Sequence, residues 1–175
     1  MLNLLLRSLC LNTVTDDKCN DFQPLLTFGL LPLHFIFLTM VFITRKEHFN
    51  AAHKLFKSEW SDAQNMEVFG KCSNPNWHGH NYELYVTVKG NPDPVTGFVV
   101  DLKKLSTLIK NKVIDKLDHK NINLDVDFMT GKMPSTEILT IEIRNQLQNE
   151  VSKLGATLHC VKLKETENNC AEYYG

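Results

Sequence analysis

The stretch Cys72-Ser73-Asn74-Pro75-Asn76-Trp77-His78-Gly79-His80-Asn81-Tyr82-Glu83-Leu84-Tyr85-Val86-Thr87-Val88-Lys89 opens as a turn and closes as a strand. Tyr82 to Lys89 alternates apolar and polar residues, the pattern of a strand with one buried face. Two-residue spacing places the His78 and His80 imidazoles on the same face of an extended chain. Gly79 between them removes side-chain crowding. Upstream, Phe49-Asn50-Ala51-Ala52-His53 adds a third imidazole. Three neutral imidazoles around an ion with one position left open is the arrangement of a catalytic rather than a structural zinc. Cys72, in a polar turn and next to Lys71, is placed to serve as a base beside the metal, with the cation favouring the thiolate. A lone histidine on a strand is more often a packed or surface residue; the His-x-His pair, the third imidazole and the thiol together shift that balance toward a metal enzyme.

Around this stretch the chain reads as one α+β domain. Val41 to Phe49 is a first strand, and Ser61 caps a short helical turn. After the turn Asn91–Gly97, Phe98 to Asp101 is expected as a third strand. Leu102, Leu105, Ile109, Val113 and Leu117 form a helical stripe. A second helix is capped by Ser135 or Thr136, carries Ile138, Ile141, Leu147, Val151 and Leu154 on one side, and stops at Gly155. His159–Lys164 and Cys170–Tyr174 are closing strands, and Cys160 and Cys170 read as core residues. Two helices cover one sheet face, so the other face and the edges call for partners.

The 175 residues suffice for one ordinary domain, and a net charge of −1 with pI about 6.6 offers no surface for nucleic acid. Five scattered cysteines suggest no disulfide framework and fit a reducing compartment. Leu25 to Ile43 is uncharged and long enough to span a bilayer, but Gly29, Pro32 and His34 weaken it as a helix. Residues 1–39 are therefore expected to be an extension outside the fold, with Met40 beginning the compact domain at 40–175; the alternative is a membrane anchor or targeting segment.

Further along, Leu117-Asp118-His119-Lys120-Asn121 offers a carboxylate–imidazole pair able to tune a thiol if it folds against Cys72, or else a polar helix end. Glu165 ends an apolar strand, where a carboxylate could accept from the adjacent N–H and amino donors of a pterin or guanine edge or simply face solvent.

These segments, with Phe69-Gly70-Lys71-Cys72, Asp93-Pro94-Val95-Thr96-Gly97, Ser135-Thr136-Glu137 and Glu165-Thr166-Glu167-Asn168-Asn169, resemble the 6-pyruvoyl-tetrahydropterin synthase family over some three-quarters of the chain. The resemblance implies a tunnelling fold: a four-stranded antiparallel sheet with two helices on one face, three sheets joining into a barrel and two trimers stacking as a homohexamer. It implies a cytoplasmic lyase that converts 7,8-dihydroneopterin triphosphate to 6-pyruvoyl-tetrahydropterin and triphosphate in tetrahydrobiopterin synthesis. Carried over by position, His53, His78 and His80 hold Zn2+. Cys72 is the base and works with Asp118 and His119 across a subunit interface; Glu165 anchors the pterin with Thr136 and Glu137 nearby. Mg2+ would accompany the triphosphate. Trp77 departs from the family, which usually carries glycine there. The alternatives are the sister 6-carboxy-tetrahydropterin synthase of the queuosine route, which usually has three residues between its cysteine and the His-Gly-His pair rather than the five found here, and a non-catalytic zinc-binding scaffold.

Overall fold

The computed structural model describes residues 40–175. The expected extension at 1–39, and most of the apolar stretch Leu25–Ile43, lie outside the described residues. Among the described residues no helix is long and apolar enough to cross a membrane.

Strand β1 (Val41–His53) pairs antiparallel with β2 (His78–Gly90), β2 with β4 (Thr157–Lys164), and β4 with β5 (Cys170–Tyr173). A two-residue β3 (Lys120–Asn121) pairs parallel with β1, giving the order β3-β1-β2-β4-β5. The sheet is thus mixed and five-stranded, against the four antiparallel strands expected. Phe98–Asp101 is not a strand. Its first carbonyl accepts from the Asp93 N–H and closes a turn, and the Asp101 carboxylate caps the next helix through the N–H groups of Lys103 and Lys104.

Alternation puts Phe49, Ala51, Tyr82, Leu84, Val86 and Val88 on the face that the helices cover, and the other face carries Lys46, Glu83, Tyr85, Lys162 and Glu172. Helix α2 (Leu102–Ile109) runs through a π-turn (Lys110–Ile114) into α3 (Asp115–Leu117). Leu105, Ile109, Val113 and Leu117 are all fully buried, whereas Leu102 is exposed. A strict spacing of four walks about 40° around an α-helix at each step. The π-turn, closed by the Asp115 N–H on the Lys110 carbonyl, absorbs that drift and keeps the stripe on the sheet. The buried Glu47 carboxylate, accepting from Ser106 Oγ at 2.6 Å and Arg45 Nε at 2.8 Å, ties α2 to β1.

Helix α1 (Asp62–Phe69) opens with a reciprocal capping box between Ser61 and Gln64. Helix α4 (Thr136–Ser152) starts on Ser135, whose Oγ accepts from the Ile138 N–H, and the chain leaves it through Gly155 at φ 82°. The buried side of α4 is Leu139, Ile143, Leu147 and Val151, one residue off the expected stripe at its start. Cys160 is buried as expected; Cys170 is exposed on the outermost strand.

Candidate metal centre and catalytic pocket

The pairing of β1 with β2 builds the centre. The register sets His53 opposite His78 and Ala51 opposite His80, so all three imidazoles emerge at one end of the sheet on its helix-covered side. Their ring centroids are 4.5, 5.1 and 4.9 Å apart, and one nitrogen from each lies within 4.8 Å of the others. Strand β2 begins at His78, four residues before the sequence pattern placed it, which makes the His-x-His pair part of the strand. Gly79 is needed for more than room between rings: a Cβ there would meet the Ala51 carbonyl oxygen at 3.0 Å. Gly79→Ala is therefore expected to lower unfolding stability by about 1–3 kcal/mol through overpacking and to weaken metal binding. A denaturant melt and a zinc titration check this, and an unchanged melt contradicts it.

His53 is 1% exposed, and its Nδ1–H donates to the Pro134 carbonyl at 2.8 Å. That bond fixes the tautomer and leaves Nε2 as a lone-pair donor, as in metal-ligating histidines, whose other ring nitrogen donates to a carbonyl or carboxylate. His53 Nε2 and both ring nitrogens of His78 are buried with no hydrogen-bond partner among the described residues. Orphaned imidazole nitrogens at this spacing fit a divalent ion. Burial holds all three histidines below their ordinary pKa, so they are neutral and ready to ligate near pH 7.

The sign of the pH dependence follows. The folded pKa values lie below the unfolded value of about 6.5, so this contribution to stability is complete above that pH. It is lost as pH falls through the lower folded values, because the unfolded chain takes up the protons first. Metal-free protein should melt at a constant temperature from pH 7 to 8 and progressively lower below 6.5. A melting temperature that rises on acidification from pH 7 to 6 would contradict the burial of neutral rings.

Glu165, at the end of β4, points its Oε1 to within 3.7 Å of His53 Nε2 and 3.8 Å of His80 Nε2. Cys72 lies in a 3-10 turn (Gly70–Ser73), and its carbonyl accepts from the Leu55 N–H at 2.9 Å, which ties the turn to the chain just past His53. The thiol is half-buried, and burial with the nearby Glu165 carboxylate pushes its pKa up. The protein's own groups thus oppose the thiolate, contrary to the expectation from Lys71. A bound cation would act in the opposite sense. Tyr82 lies beside the imidazoles of His53 and His80; burial, then Glu165 and Cys72, raise its phenol far above the ordinary value.

Thr136 and Glu137, at the start of α4, border a cavity with Glu165, Asn168 and Asn169. Asp118 and His119 lie elsewhere, at the β1 edge of the sheet. Asp118 Oδ1 accepts from the Asn50 N–H at 2.8 Å, which holds its carboxyl below the usual range, and its Oδ2 meets His119 Nδ1 at 2.9 Å. His119 has φ 59°, a left-handed conformation fixed by its N–H on the Asn50 carbonyl, and its side chain is 77% exposed. Among the described residues no hydrogen bond or ion pair joins this pair to Cys72. Trp77 also has a positive φ, 65°, a conformation that favours glycine. Its ring packs beside Lys54, whose Nζ is 6.0 Å from the ring centroid.

The sequence profile of 6-pyruvoyl tetrahydropterin synthase matches residues 42–175. The chain belongs to this family. Its members are lyases of tetrahydrobiopterin biosynthesis. The 6-pyruvoyl tetrahydrobiopterin synthases of Pongo abelii and Homo sapiens are 42% and 41% identical over 133 residues, 76% of this chain and 90% of theirs. The structure of the Caenorhabditis elegans 6-pyruvoyl tetrahydropterin synthase superposes with a TM-score of 0.73 at 38% identity, covering 79% of this chain and 97% of that one. The 6-carboxy-5,6,7,8-tetrahydropterin synthase of Bacillus subtilis is 26% identical over 136 residues, 75% of this chain and 83% of its own.

Proposed function

We propose that the chain is a zinc-dependent 6-pyruvoyl-tetrahydropterin synthase, converting 7,8-dihydroneopterin triphosphate to 6-pyruvoyl-tetrahydropterin and inorganic triphosphate in the cytoplasm. The observation that carries this is the three-imidazole cluster, with the Glu165 carboxylate against it and Cys72 near enough to feel that carboxylate, in a family member. Bound by His53, His78 and His80, zinc would supply Lewis-acid stabilisation of charge on the substrate's side-chain oxygens. Cys72, as thiolate, removes a carbon proton from the side chain, and His119, held by Asp118, moves protons to and from it. Glu165 accepts from the pterin's N–H and amino donors, with Thr136 and Glu137 completing that end of the cavity. Triphosphate leaves as a stable anion, and oxidation of the side chain is matched by reduction of the ring, so electrons balance within one molecule. Magnesium would travel with the triphosphate.

Asp118 and His119 project from the sheet edge, as a pair serving a neighbouring subunit's Cys72 would. Along Val41–Asn50 the outer edge of β1 has no strand partner among the described residues, and the outer edge of β5 has none either. Exposed edges of this kind favour pairing with further copies, which supports the barrel-forming trimer and the hexamer. Residues 40–175 form the catalytic domain in this reading, and 1–39 an extension outside it. The five residues that separate Cys72 from the His-Gly-His pair and the higher identity to pyruvoyl enzymes favour this reading over the carboxy-forming sister enzyme, and the retained acid–base groups favour it over a scaffold.

Product analysis after incubating the zinc-loaded protein with 7,8-dihydroneopterin triphosphate tests the assignment. Triphosphate with a product that keeps the three-carbon side chain is expected. A one-carbon carboxyl product would move the chain to the sister activity, and no conversion by folded, zinc-loaded protein would leave the scaffold.

A further inference from the structure

Tyr82 lies two residues beyond His80 on the same face of β2, and it is 1% exposed. Its ring stacks on Phe49, its partner across the strands, with centroids 4.9 Å apart and planes 15° from parallel. Its edge faces the imidazoles of His80 and His53 at 5.6 and 6.2 Å. The ring's packing needs no oxygen, and phenylalanine would stack as well. Yet the Tyr82 hydroxyl is buried without a hydrogen-bond partner among the described residues. A buried polar group left unpaired is destabilising, and here the cost falls beside the imidazoles of His53 and His80.

We propose that Tyr82 is a catalytic residue whose O–H donates a hydrogen bond to the substrate side-chain oxygen that gives up its proton and becomes a carbonyl oxygen as the neighbouring C–H electrons pass into the ring. The inference rests on the synthase reading given above. The donor is neutral and already buried, so it needs no reorganisation when charge develops, the property that makes preorganised donors effective in water-poor sites. The phenol keeps its proton throughout: Cys72 takes the carbon proton, the electron pair of that C–H bond passes into the ring's C=N bond, and Tyr82 only stabilises the side-chain oxygen as its own proton leaves and it becomes a carbonyl. A role in packing alone would make the hydroxyl a cost with no return.

The test compares zinc-loaded Tyr82→Phe with the parent chain on 7,8-dihydroneopterin triphosphate. The expected result is a kcat lower by about 100-fold or more, the scale seen when one such donor is removed. Zinc content should be unchanged, KM altered by less than about threefold, and the melting temperature equal or higher. A merely structural tyrosine would give the reverse pattern, with a lower melting temperature and kcat kept. A kcat within about twofold of the parent overturns the proposal. Should Tyr82→Phe not fold, 3-fluorotyrosine at position 82 in the Cys72→Ala background gives a fluorine NMR signal. That signal should move when substrate is added to zinc-loaded protein and not when zinc alone is added. A signal that ignores substrate overturns the donor role. An active parent with an unaffected variant rejects Tyr82 alone, whereas a folded, zinc-loaded parent without activity rejects the synthase reading itself.

Discussion

His78→Ala is expected to lose the metal and reduce turnover by about 1,000-fold or more. Removing one imidazole of three leaves two ligands and an incomplete shell. Affinity should fall beyond the roughly 10–100-fold typical of outer-shell changes, and the several kcal/mol of Lewis-acid stabilisation go with the ion. His78 is the sharpest probe because both its ring nitrogens are buried and unpartnered. In the metal-free protein the substitution should be close to neutral, since relief of two orphaned nitrogens offsets the cavity left by the ring. A structural histidine would instead cost stability with or without metal. His48, exposed on the other face of β1, is the control, and His48→Ala should leave zinc content as it was. Metal analysis with paired melts, metal-free and loaded, reads all of these outcomes. Full zinc content in His78→Ala would remove this ring from the ligand set.

Cys72→Ala is expected to separate metal from chemistry: zinc stays, and kcat falls by at least about 100-fold, the usual contribution of a positioned base. The thiol's surroundings add a directional prediction. Burial and the Glu165 carboxylate both raise its pKa, so activity should climb with pH as the thiolate forms. Glu165→Gln removes one raising influence and should shift that limb to lower pH, even as it weakens pterin binding. The Cys72→Ala residual rate should lack the limb. Stopped-time assays across pH 6 to 9 on the three proteins, each with zinc determined, check this. A zinc-loaded Cys72→Ala enzyme with parental kcat would exclude the thiol as the base.

Local signals carried much of this molecule. The His-x-His spacing, the caps at Ser61 and Ser135 and the stop at Gly155 depend on a few neighbouring residues, and each lies where its chemistry put it. What sequence could not supply was register. Nothing near His53 says that it will face His78; that follows only once Phe49 has paired with Tyr82 along β1 and β2. The two-residue β3 has no pattern to read, and Phe98–Asp101 looks like a strand until its polar ends are used for a turn and a helix cap. The α4 stripe drifted by one residue because Ile138 and Ile141 are apolar but only partly covered. Tyr82 was hidden for a different reason: in an alternating strand a buried tyrosine reads as core, and only the partnerless hydroxyl marks it.

The metal dependence of turnover is the measurement that bears most directly on this account. Protein stripped with a chelator, dialysed and reloaded stepwise with zinc should release no triphosphate from 7,8-dihydroneopterin triphosphate at the start. The rate should then rise in proportion to zinc and level off at one ion per chain, as a single three-imidazole site requires. Metal-free protein that turns over as fast as the loaded enzyme would contradict a catalytic metal at His53, His78 and His80.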